Sequence, residues 1–239
     1  MKIKLDLHIH SAASADGRMS PDEILYRCRE EGLQGAAVCD HDRVMSEERA
    51  DTDFLWIPGV EVSTDYGHLL GLFVTVPIPA GDFVAAVEAI HAAGGIAVLA
   101  HPFARRREGD ALLPILPLLD GIEVYNSRAM RKNSRANVMA EEFAAVHGLR
   151  RFAGSDAHVA EEVGMAYVLL EADELSAEAV KAALLERTVE ITGRRSPARY
   201  TAMSQLTRRR RQGASPLSYA KWALFALRCL LQDLLWGGQ

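Results

Sequence analysis

Short apolar runs alternate with amphipathic segments along most of the 239-residue chain. Near the N-terminus, "IKLDLHI" carries an apolar residue at every second position, which is the period of a strand with one buried face. Later runs are short and largely apolar, as buried strands are. These runs read "GAAVCD", "FLWIPGVEV", "HLLGLFV", "IAVLA", "GIEVY", "LRRFAGS" and "AYVLL". The pattern therefore predicts a chain rich in strands.

Amphipathic stretches between these runs predict helices. "SPDEILYRCREEGL" has Ser20 as its N-cap, Pro21 at the first helical position and Glu23 three residues after the cap. "GDFVAAVEAIHAAGG" is a second helix, ended by glycines. Further helices are expected at about 110–118, 133–148 and 176–188. This alternation favours a mostly parallel sheet with helices outside it, either open or closed.

Histidines and carboxylates gather where the predicted strands begin or end. His8 and His10 close the first strand, and they point the same way because successive residues of a strand alternate faces. The other strand-edge residues of this kind are Asp40, His41, Asp42, Glu61, His68, His101, Glu123, Asp156 and His158. Folds of this class bind ligands at the carboxyl ends of their strands. Imidazole and carboxylate without thiolate form a ligand set for zinc, manganese or iron.

Composition places the chain among ordinary globular proteins, with 49% hydrophobic and 25% charged residues. Its three cysteines are widely spaced and indicate neither a disulfide framework nor a thiolate zinc site, which favours a cytoplasmic protein. The net charge of −5 hides an asymmetry. Residues 191–239 carry nine lysines and arginines against Asp233 alone, so an acidic body precedes a basic tail.

The order of the motifs H-x-H, D-H-D, G-x-E, H-P and G-S-D-A-H resembles the PHP (polymerase and histidinol phosphatase) family over about residues 3–170. The resemblance implies a distorted (β/α)7 barrel with a two- or three-metal centre at the carboxyl ends of its strands. It also implies hydrolysis of phosphate esters. We expect a barrel domain over residues 1–200, followed by a basic linker and an amphipathic helix within residues 201–239.

Carried over position by position, the resemblance implies three groups of metal ligands. His8 and His10 would bind one metal together with Glu61 and Asp156. Glu61 would bridge to a second metal held by His68 and His101. The third group comprises Asp16, His41 and His158.

Arginines and one acid are the candidates for direct catalytic roles. Guanidinium groups bind phosphate bidentately, which makes Arg105 and Arg106 after "HPF" and Arg128 after "EVYN" candidate phosphate ligands. Either Asp42 or His158 could protonate the leaving group, and we take Asp42 as the candidate. A charge run on a solvated surface is the alternative interpretation of the arginines.

The last segment has a different pattern from the barrel. Ser215 and Pro216 are expected to begin a helix in which Lys221, Arg228 and Gln232 share one narrow face. The opposite, wide face carries Leu224, Leu227, Leu230, Leu231, Leu234 and Leu235. The charged residues argue against a transmembrane span.

Two interpretations of this helix, residues 216–236, remain open. It could pack on the barrel or on a second copy of the chain. Alternatively, it could lie at a membrane surface with Trp222, Phe225 and Trp236 near the headgroups, assisted by Arg208–Arg211. No strong nucleic-acid-binding module is recognisable around the arginines.

The sequence thus predicts a hydrolase that uses two or three divalent ions (Zn, Mn or Fe) to cleave phosphate esters. The expected substrates are a phosphorylated small metabolite, a nucleotide or an oligonucleotide end. A phosphotyrosyl-protein phosphatase of the same family and a non-catalytic metal-binding module recruited by its C-terminal helix are the alternatives.

Overall fold

The computed structural model describes residues 1–45, 49, 51–105 and 108–236, in which nine strands and six α-helices are found. The strands are β1 (Lys2–Ile9), β2 (Gly35–Val38), β3 (Leu55–Thr64), β4 (Gly67–Leu72), β5 (Ile96–Leu99), β6 (Gly121–Asn126), β7 (Arg151–Gly154), β8 (Ala166–Glu171) and β9 (Glu190–Gly193). The α-helices are α1 (Pro21–Glu30), α2 (Phe83–Ala92), α3 (Ala136–His147), α4 (Ala177–Glu186), α5 (Ala198–Arg211) and α6 (Pro216–Trp236). Short 3-10 helices span Gly109–Leu118, Ala129–Arg131 and Ala160–Glu162.

One sheet contains all of these strands, in the order β7-β6-β5-β4-β3-β2-β1-β8-β9. The neighbours β1, β2 and β3 are parallel, as are β5, β6 and β7. A two-residue turn at Asp65 and Tyr66 joins β3 to β4 as a hairpin, so β4 runs antiparallel to β3. The strand β4 is also antiparallel to β5. The strands β8 and β9 extend the sheet antiparallel beyond β1.

The series β1–β7 curls until its two ends meet, which produces a nearly closed barrel. The amide of Asp156 donates to the carbonyl of His8 at 2.7 Å, and the amide of His10 donates to the carbonyl of Ala157 at 2.8 Å. Gly154 permits this approach, since a Cβ at that position would lie 2.3 Å from the Cβ of His8. The distorted seven-stranded barrel expected from the resemblance is confirmed.

The barrel interior below the candidate ligands is a continuous apolar core. Leu5 and Leu7 of β1 are buried in it with residues of β2, β3, β4, β5 and β7. The pairing of β1 with β2 shifts between Asp6 and Ile9. As a result Ile9 packs outside the barrel against α1, and the adjacent His8 faces inward like Leu7. This local irregularity places His8 directly above the apolar core.

Most of the sequence-based elements are found where the pattern places them. The capping box at the start of α1 is present, with Ser20 and Glu23 bonded reciprocally. The apolar pattern did not predict the four-residue β9, because this strand is short and contains only one large apolar residue, Ile191. The expected helix near 110–118 is a 3-10 helix, because Pro114 and Pro117 remove the amide donors that an α-helix needs.

The arginine-rich segment after residue 200 is helical rather than a linker. It forms the last turns of α5, where cations face the negative end of the helix dipole. A short turn leads into α6, which packs on α5. The carboxylate of Asp233 in α6 accepts from the amides of Ala198 and Arg199 at 2.6 and 3.0 Å, and so caps the start of α5. None of the helices in the described ranges has the length and apolarity needed to cross a membrane.

Barrel closure predicts a strong effect of Gly154→Ala on stability. The added methyl group would collide with the backbone and Cβ of His8, so β7 must move away from β1. We expect the free energy of unfolding to fall by at least about 1–3 kcal/mol in urea titrations. Ser176→Ala, which removes the side-chain cap of α4 after the antiparallel strand β8, should cost about 1 kcal/mol and leave the metal content unchanged. A Gly154→Ala protein with wild-type stability would contradict this account of closure.

Candidate metal centre

The candidate ligands converge on one end of the barrel from six strands. His8 and His10 come from the end of β1, Asp156 and His158 from the segment after β7, and Glu61 from within β3. The remaining members are Asp16 in the loop after β1, His41 after β2, His68 on β4 and His101 after β5. The parallel strands present their carboxyl ends at this rim, which is why residues distant in sequence meet here.

Glu61 lies at the centre of the group and is only 1% exposed. Its Oε1 lies 2.7 Å from Nδ1 of His68 and 2.9 Å from Nε2 of His101. Its Oε2 lies 2.8 Å from Nδ1 of His41 and 3.4 Å from Nε2 of His10. One carboxylate thus contacts imidazoles from four different parts of the chain.

His8, His10 and Asp156 form a second, fully connected group. The Nε2 atoms of His8 and His10 face each other at 3.1 Å. The Oδ1 atom of Asp156 lies 3.3 Å from the Nε2 of His10 and 3.8 Å from that of His8. Two ligands about 2.1 Å from the same ion, at a tetrahedral angle, lie about 3.4 Å apart. The observed spacings match that distance.

A third group surrounds Asp16. Its Oδ1 lies 3.5 Å from Nε2 of His158 and 3.7 Å from Nε2 of His41. This buried oxygen accepts no hydrogen bond from the described residues. His41 belongs to two groups, because its Nδ1 faces Glu61 and its Nε2 faces Asp16. The three groups are therefore contiguous.

Charge and burial shift the pKa values of the carboxylates in this cluster. Burial favours the neutral form of Glu61, but the neighbouring His68 and His8 hold its pKa well below the usual range. Burial also opposes ionisation of Asp156, yet the charge of His8 and a hydrogen bond from His10 keep its pKa well below that of an ordinary aspartate. Both carboxylates are consequently ionised at neutral pH.

The imidazoles divide into two classes. Burial opposes protonation of His41, but its contact with Glu61 raises its pKa to about 9. The pKa of His8 is likewise raised, against the effect of burial, by Glu123, Asp156 and Glu61. Burial lowers the pKa of His10, and burial with the nearby charge of Arg128 lowers that of His158. Some ligands therefore carry a proton that a metal ion must displace, whereas others are already neutral.

Glu123 and Asn126 support this cluster, although the sequence analysis gave them no role as ligands. Glu123 Oε1 lies 3.0 Å from Nδ1 of His8, and its Oε2 accepts from the amide of His101 at 2.8 Å. Asn126 Nδ2 donates to Glu123 and to Asp156 at 3.0 and 3.3 Å. A carboxylate on the second ring nitrogen directs Nε2 of His8 toward the centre, as in many metal sites. A lone glutamate inside the apolar run "GIEVY" was the available signal.

Asp40 shapes the loop that carries Asp16. Its buried carboxylate accepts from the amide and hydroxyl groups of both Ser11 and Ser14, at 2.5–3.1 Å. Arg211, at the end of α5, donates to the carbonyls of Ala12 and Ser14 at 2.9 and 2.6 Å. The C-terminal helices thus hold one loop of the site from outside.

Two of the candidate ligands adopt the left-handed backbone conformation that favours glycine. The φ angle is 29° at His101 and 57° at Asp156. Non-glycine residues in this region are strained, and such strain concentrates at functional sites. Here it turns His101 toward Glu61 shortly after β5, and Asp156 toward His10 shortly after β7.

The structure supports the expected roles of the candidate catalytic residues less well than those of the candidate ligands. Asp42 does not line the cavity; its carboxylate accepts from the amide and hydroxyl of Ser63 at 2.7 and 3.0 Å, so the geometry does not support it as the acid. His158, the alternative acid, lies within the cluster. Arg128 reaches the cavity, but its guanidinium is bound bidentately to the buried Glu162 at 2.7 Å, which argues against phosphate binding.

Two cavities open at this rim, and they share a cationic border. One, of about 160 Å³, is lined by seven of the nine candidate ligands, all but His8 and His10, and is walled on one side by Thr201, Ser204 and Gln205 of α5. The other, of about 260 Å³, adjoins His68 and His101 and is lined by Tyr66, Arg105 and Lys132. Lys132 borders both cavities and was missed by the sequence analysis. Arg106 lies outside the described residues.

The donor set fits divalent metal ions. Its members are imidazoles and carboxylates. Seven of them form three overlapping groups, in each of which the ligand atoms lie within 4.8 Å of one another: His8, His10, His41, Glu61, His68, Asp156 and His158. The buried Oδ1 of Asp16 has no hydrogen-bond partner among the described residues, and a cation beside it would satisfy it. Such ions would be held by the three groups around Glu61, Asp156 and Asp16.

Comparison with known proteins agrees with this geometry. A family model described as PHP-associated matches residues 134–189. A 5'-3' exoribonuclease of Haemophilus influenzae is 38% identical over 81 residues, which cover 30% of this chain and 29% of that protein. The crystal structure of a two-domain protein from Bacteroides vulgatus, containing a predicted PHP-like metal-dependent phosphoesterase, superposes with a TM-score of 0.65 at 19% identity. That match covers 81% of this chain and 65% of the other, and it shows a shared fold.

A second relative aligns with this chain over a longer region. The uncharacterised protein MJ0417 of Methanocaldococcus jannaschii is 33% identical over 175 residues, which cover 70% of each protein. Together with the matched family segment and the rim of histidines and carboxylates, this similarity shows that the chain belongs to the PHP family.

Proposed function

We propose that this protein is a metal-dependent phosphoesterase that hydrolyses phosphate esters of a nucleotide, an oligonucleotide end or a similarly small metabolite. The single observation that carries the proposal is the contiguous cluster of nine imidazole and carboxylate side chains that includes the buried Glu61. Divalent ions bound there would polarise the phosphate oxygens and lower the pKa of water to about 7, which provides hydroxide at neutral pH.

The protein's own residues account for ligand orientation and substrate binding. Glu123 fixes the ring of His8, and the contacts of Asp40 fix the loop that carries Asp16. Lys132 and Arg105 supply positive charge beside the ligand cluster, where the anionic oxygens of a phosphate ester would lie. Burial and the nearby charge of Arg128 lower the pKa of His158, so its neutral imidazole is suited to bind a metal rather than to protonate the leaving oxygen.

The size of the site supports a small substrate. The ligand cavity of about 160 Å³ adjoins a cavity of about 260 Å³ with one aromatic wall, Tyr66. A phosphate at the ligands with a nucleoside-sized group in the neighbouring cavity is consistent with both volumes. Similarity to an exoribonuclease over 81 residues supports a nucleotide or a 5' oligonucleotide end within this range.

Removal of a central ligand is expected to abolish activity. His10→Ala and Asp156→Asn should each lower kcat by at least about a thousandfold, because hydroxide generation and charge neutralisation depend on the bound ions. His147→Ala, which changes an exposed histidine at the end of α3, should stay within twofold of wild type. The assay follows phosphate release from p-nitrophenyl phosphate, nucleoside monophosphates, 5'-phosphorylated oligoribonucleotides and a phosphotyrosyl peptide. Activity that survives both ligand substitutions would refute the proposal, and preference for the peptide would exclude the nucleotide assignment.

Metal binding at neutral pH should release protons. Since the contact with Glu61 raises the pKa of His41 to about 9, this imidazole is protonated at pH 7 and must lose its proton to bind a metal. Calorimetric titration with Mn²⁺ in buffers of different ionisation enthalpy should show release of at least one proton at pH 7 and clearly less at pH 9.5. The His41→Gln variant should release about one proton fewer at pH 7. Equal heats in all buffers at pH 7 would contradict this role of His41.

Lys132 is expected to bind substrate rather than to perform chemistry. Lys132→Ala removes a cation that borders both cavities, so KM for a 5'-phosphorylated oligoribonucleotide should rise about tenfold with kcat changed less than threefold. Arg135→Ala alters a nearby exposed cation without a contact to either cavity and serves as the control. An unchanged KM in Lys132→Ala would show that the substrate lies elsewhere.

A further inference from the structure

The helix α6 is fixed to the rest of the protein through one face only. Trp222 Nε1 donates to the carbonyl of Ala202 in α5 at 2.8 Å, and Cys229 is buried between the two helices with Phe225 packed beside it. Trp222 and Phe225 therefore face α5, which corrects the expectation that they lie among lipid headgroups. The side chain of Trp236 lies outside the described part of the chain.

The opposite face of α6 is exposed and entirely apolar. Seven leucines lie on it, each between 50% and 79% exposed: Leu217, Leu224, Leu227, Leu230, Leu231, Leu234 and Leu235. The other exposed positions on this arc are Pro216, Ala220 and Ala223. At 3.6 residues per turn the arc spans about 140°, wider than the seam by which two helices of a coiled coil pair. Soluble monomers rarely expose a contiguous apolar surface of this kind.

Cations border this leucine face along one side. Lys221 and Arg228 are exposed on α6 next to the leucines. A groove of about 470 Å³ separates α6 from the segment after β6, and it is lined by Arg131, Lys132 and Arg228 together with Leu231 and Leu235. None of these cations forms an ion pair with a carboxylate among the described residues. Asp233, the acid of α6, is occupied at the start of α5.

We propose that the leucine face of α6 docks on the surface of a lipid bilayer that contains anionic headgroups. The leucines would enter the boundary between headgroups and acyl chains, with the helix parallel to the membrane plane. Phosphate groups of the lipids would lie against Arg228, Lys221 and the groove beside Arg131. The helix is an interfacial element in this arrangement, consistent with its lack of the apolar length needed for a span.

Charge complementarity favours lipid over a second copy of the chain. In a symmetric pairing of two α6 helices, Lys221 and Arg228 would meet the partner's leucines or its cations, and α6 offers no free acid to compensate them. An anionic membrane supplies the missing negative charge at the border and the apolar phase beside it. The cations then contact negative headgroups, and the leucines leave water for the apolar phase.

Vesicle co-sedimentation tests the proposal on the full-length protein. Wild type should bind vesicles of phosphatidylcholine with 30% phosphatidylglycerol and bind phosphatidylcholine vesicles at least about tenfold more weakly. The variant Leu224→Gln/Leu227→Gln/Leu234→Gln should lose at least tenfold in binding to the anionic vesicles. The charge variant Lys221→Glu/Arg228→Glu should lose a similar factor. Val138→Gln/Val146→Gln, which changes exposed apolar residues of α3, should bind like wild type.

Two further measurements distinguish a loss of vesicle binding from a loss of folding and from a loss of enzymatic activity. The leucine variant should retain the wild-type unfolding temperature and turnover of a soluble phosphate ester, because its altered side chains are exposed and line neither cavity at the ligand rim. Sedimentation velocity should show a monomer for wild type without vesicles. Absence of vesicle binding by wild type, binding unaffected by the leucine substitutions, or a dimer abolished by those substitutions would each overturn the proposal.

Discussion

The burial of one carboxylate among many imidazoles is the interaction on which the rest of this structure depends. Glu61 is 1% exposed, and its two oxygens lie within 3 Å of nitrogens from His41, His68 and His101. A buried charge of this kind is tolerated only when opposite charges or metal ions surround it. The barrel provides that surrounding, because its closure at Gly154 brings the ends of β1 and β7 to the same rim as β3.

The position of the ligands at strand ends explains which parts of the site could be predicted from the sequence. Apolar runs ending in histidine or carboxylate identify strand ends, and parallel strands place those ends together. That reasoning located His8, Glu61, His101 and Asp156 without any three-dimensional information. The grouping of the ligands came from the family resemblance, and the structure adds that His41 lies between two of the groups.

Other features depend on tertiary contacts that carry no local signal. The inward orientation of both Leu7 and His8 arises from a pairing irregularity of β1, which simple alternation does not reveal. Asp42 resembles its neighbour Asp40 in sequence, yet one carboxylate binds Ser63 and the other organises the ligand loop. Arg128 looks like a phosphate ligand until Glu162, 34 residues away, is seen to hold it. In each case the partner that decides the role is distant in sequence.

The C-terminal helices connect the site to the outer surface of the protein. Through Gln205 and Ser204, α5 forms a wall of the ligand cavity, and through Arg211 it holds the loop that carries Asp16. The helix α6 packs on α5 and exposes its leucines. The same pair of helices therefore both lines the ligand cavity and carries the exposed apolar face.

The most direct test of the central claim is a titration of metal-free protein with Mn²⁺ or Zn²⁺, in which bound metal and phosphate release are measured on the same samples. The account predicts no turnover without metal and a plateau reached at two to three ions per chain, since the ligands form three contiguous groups. Full activity in protein shown by elemental analysis to be free of metal would contradict it.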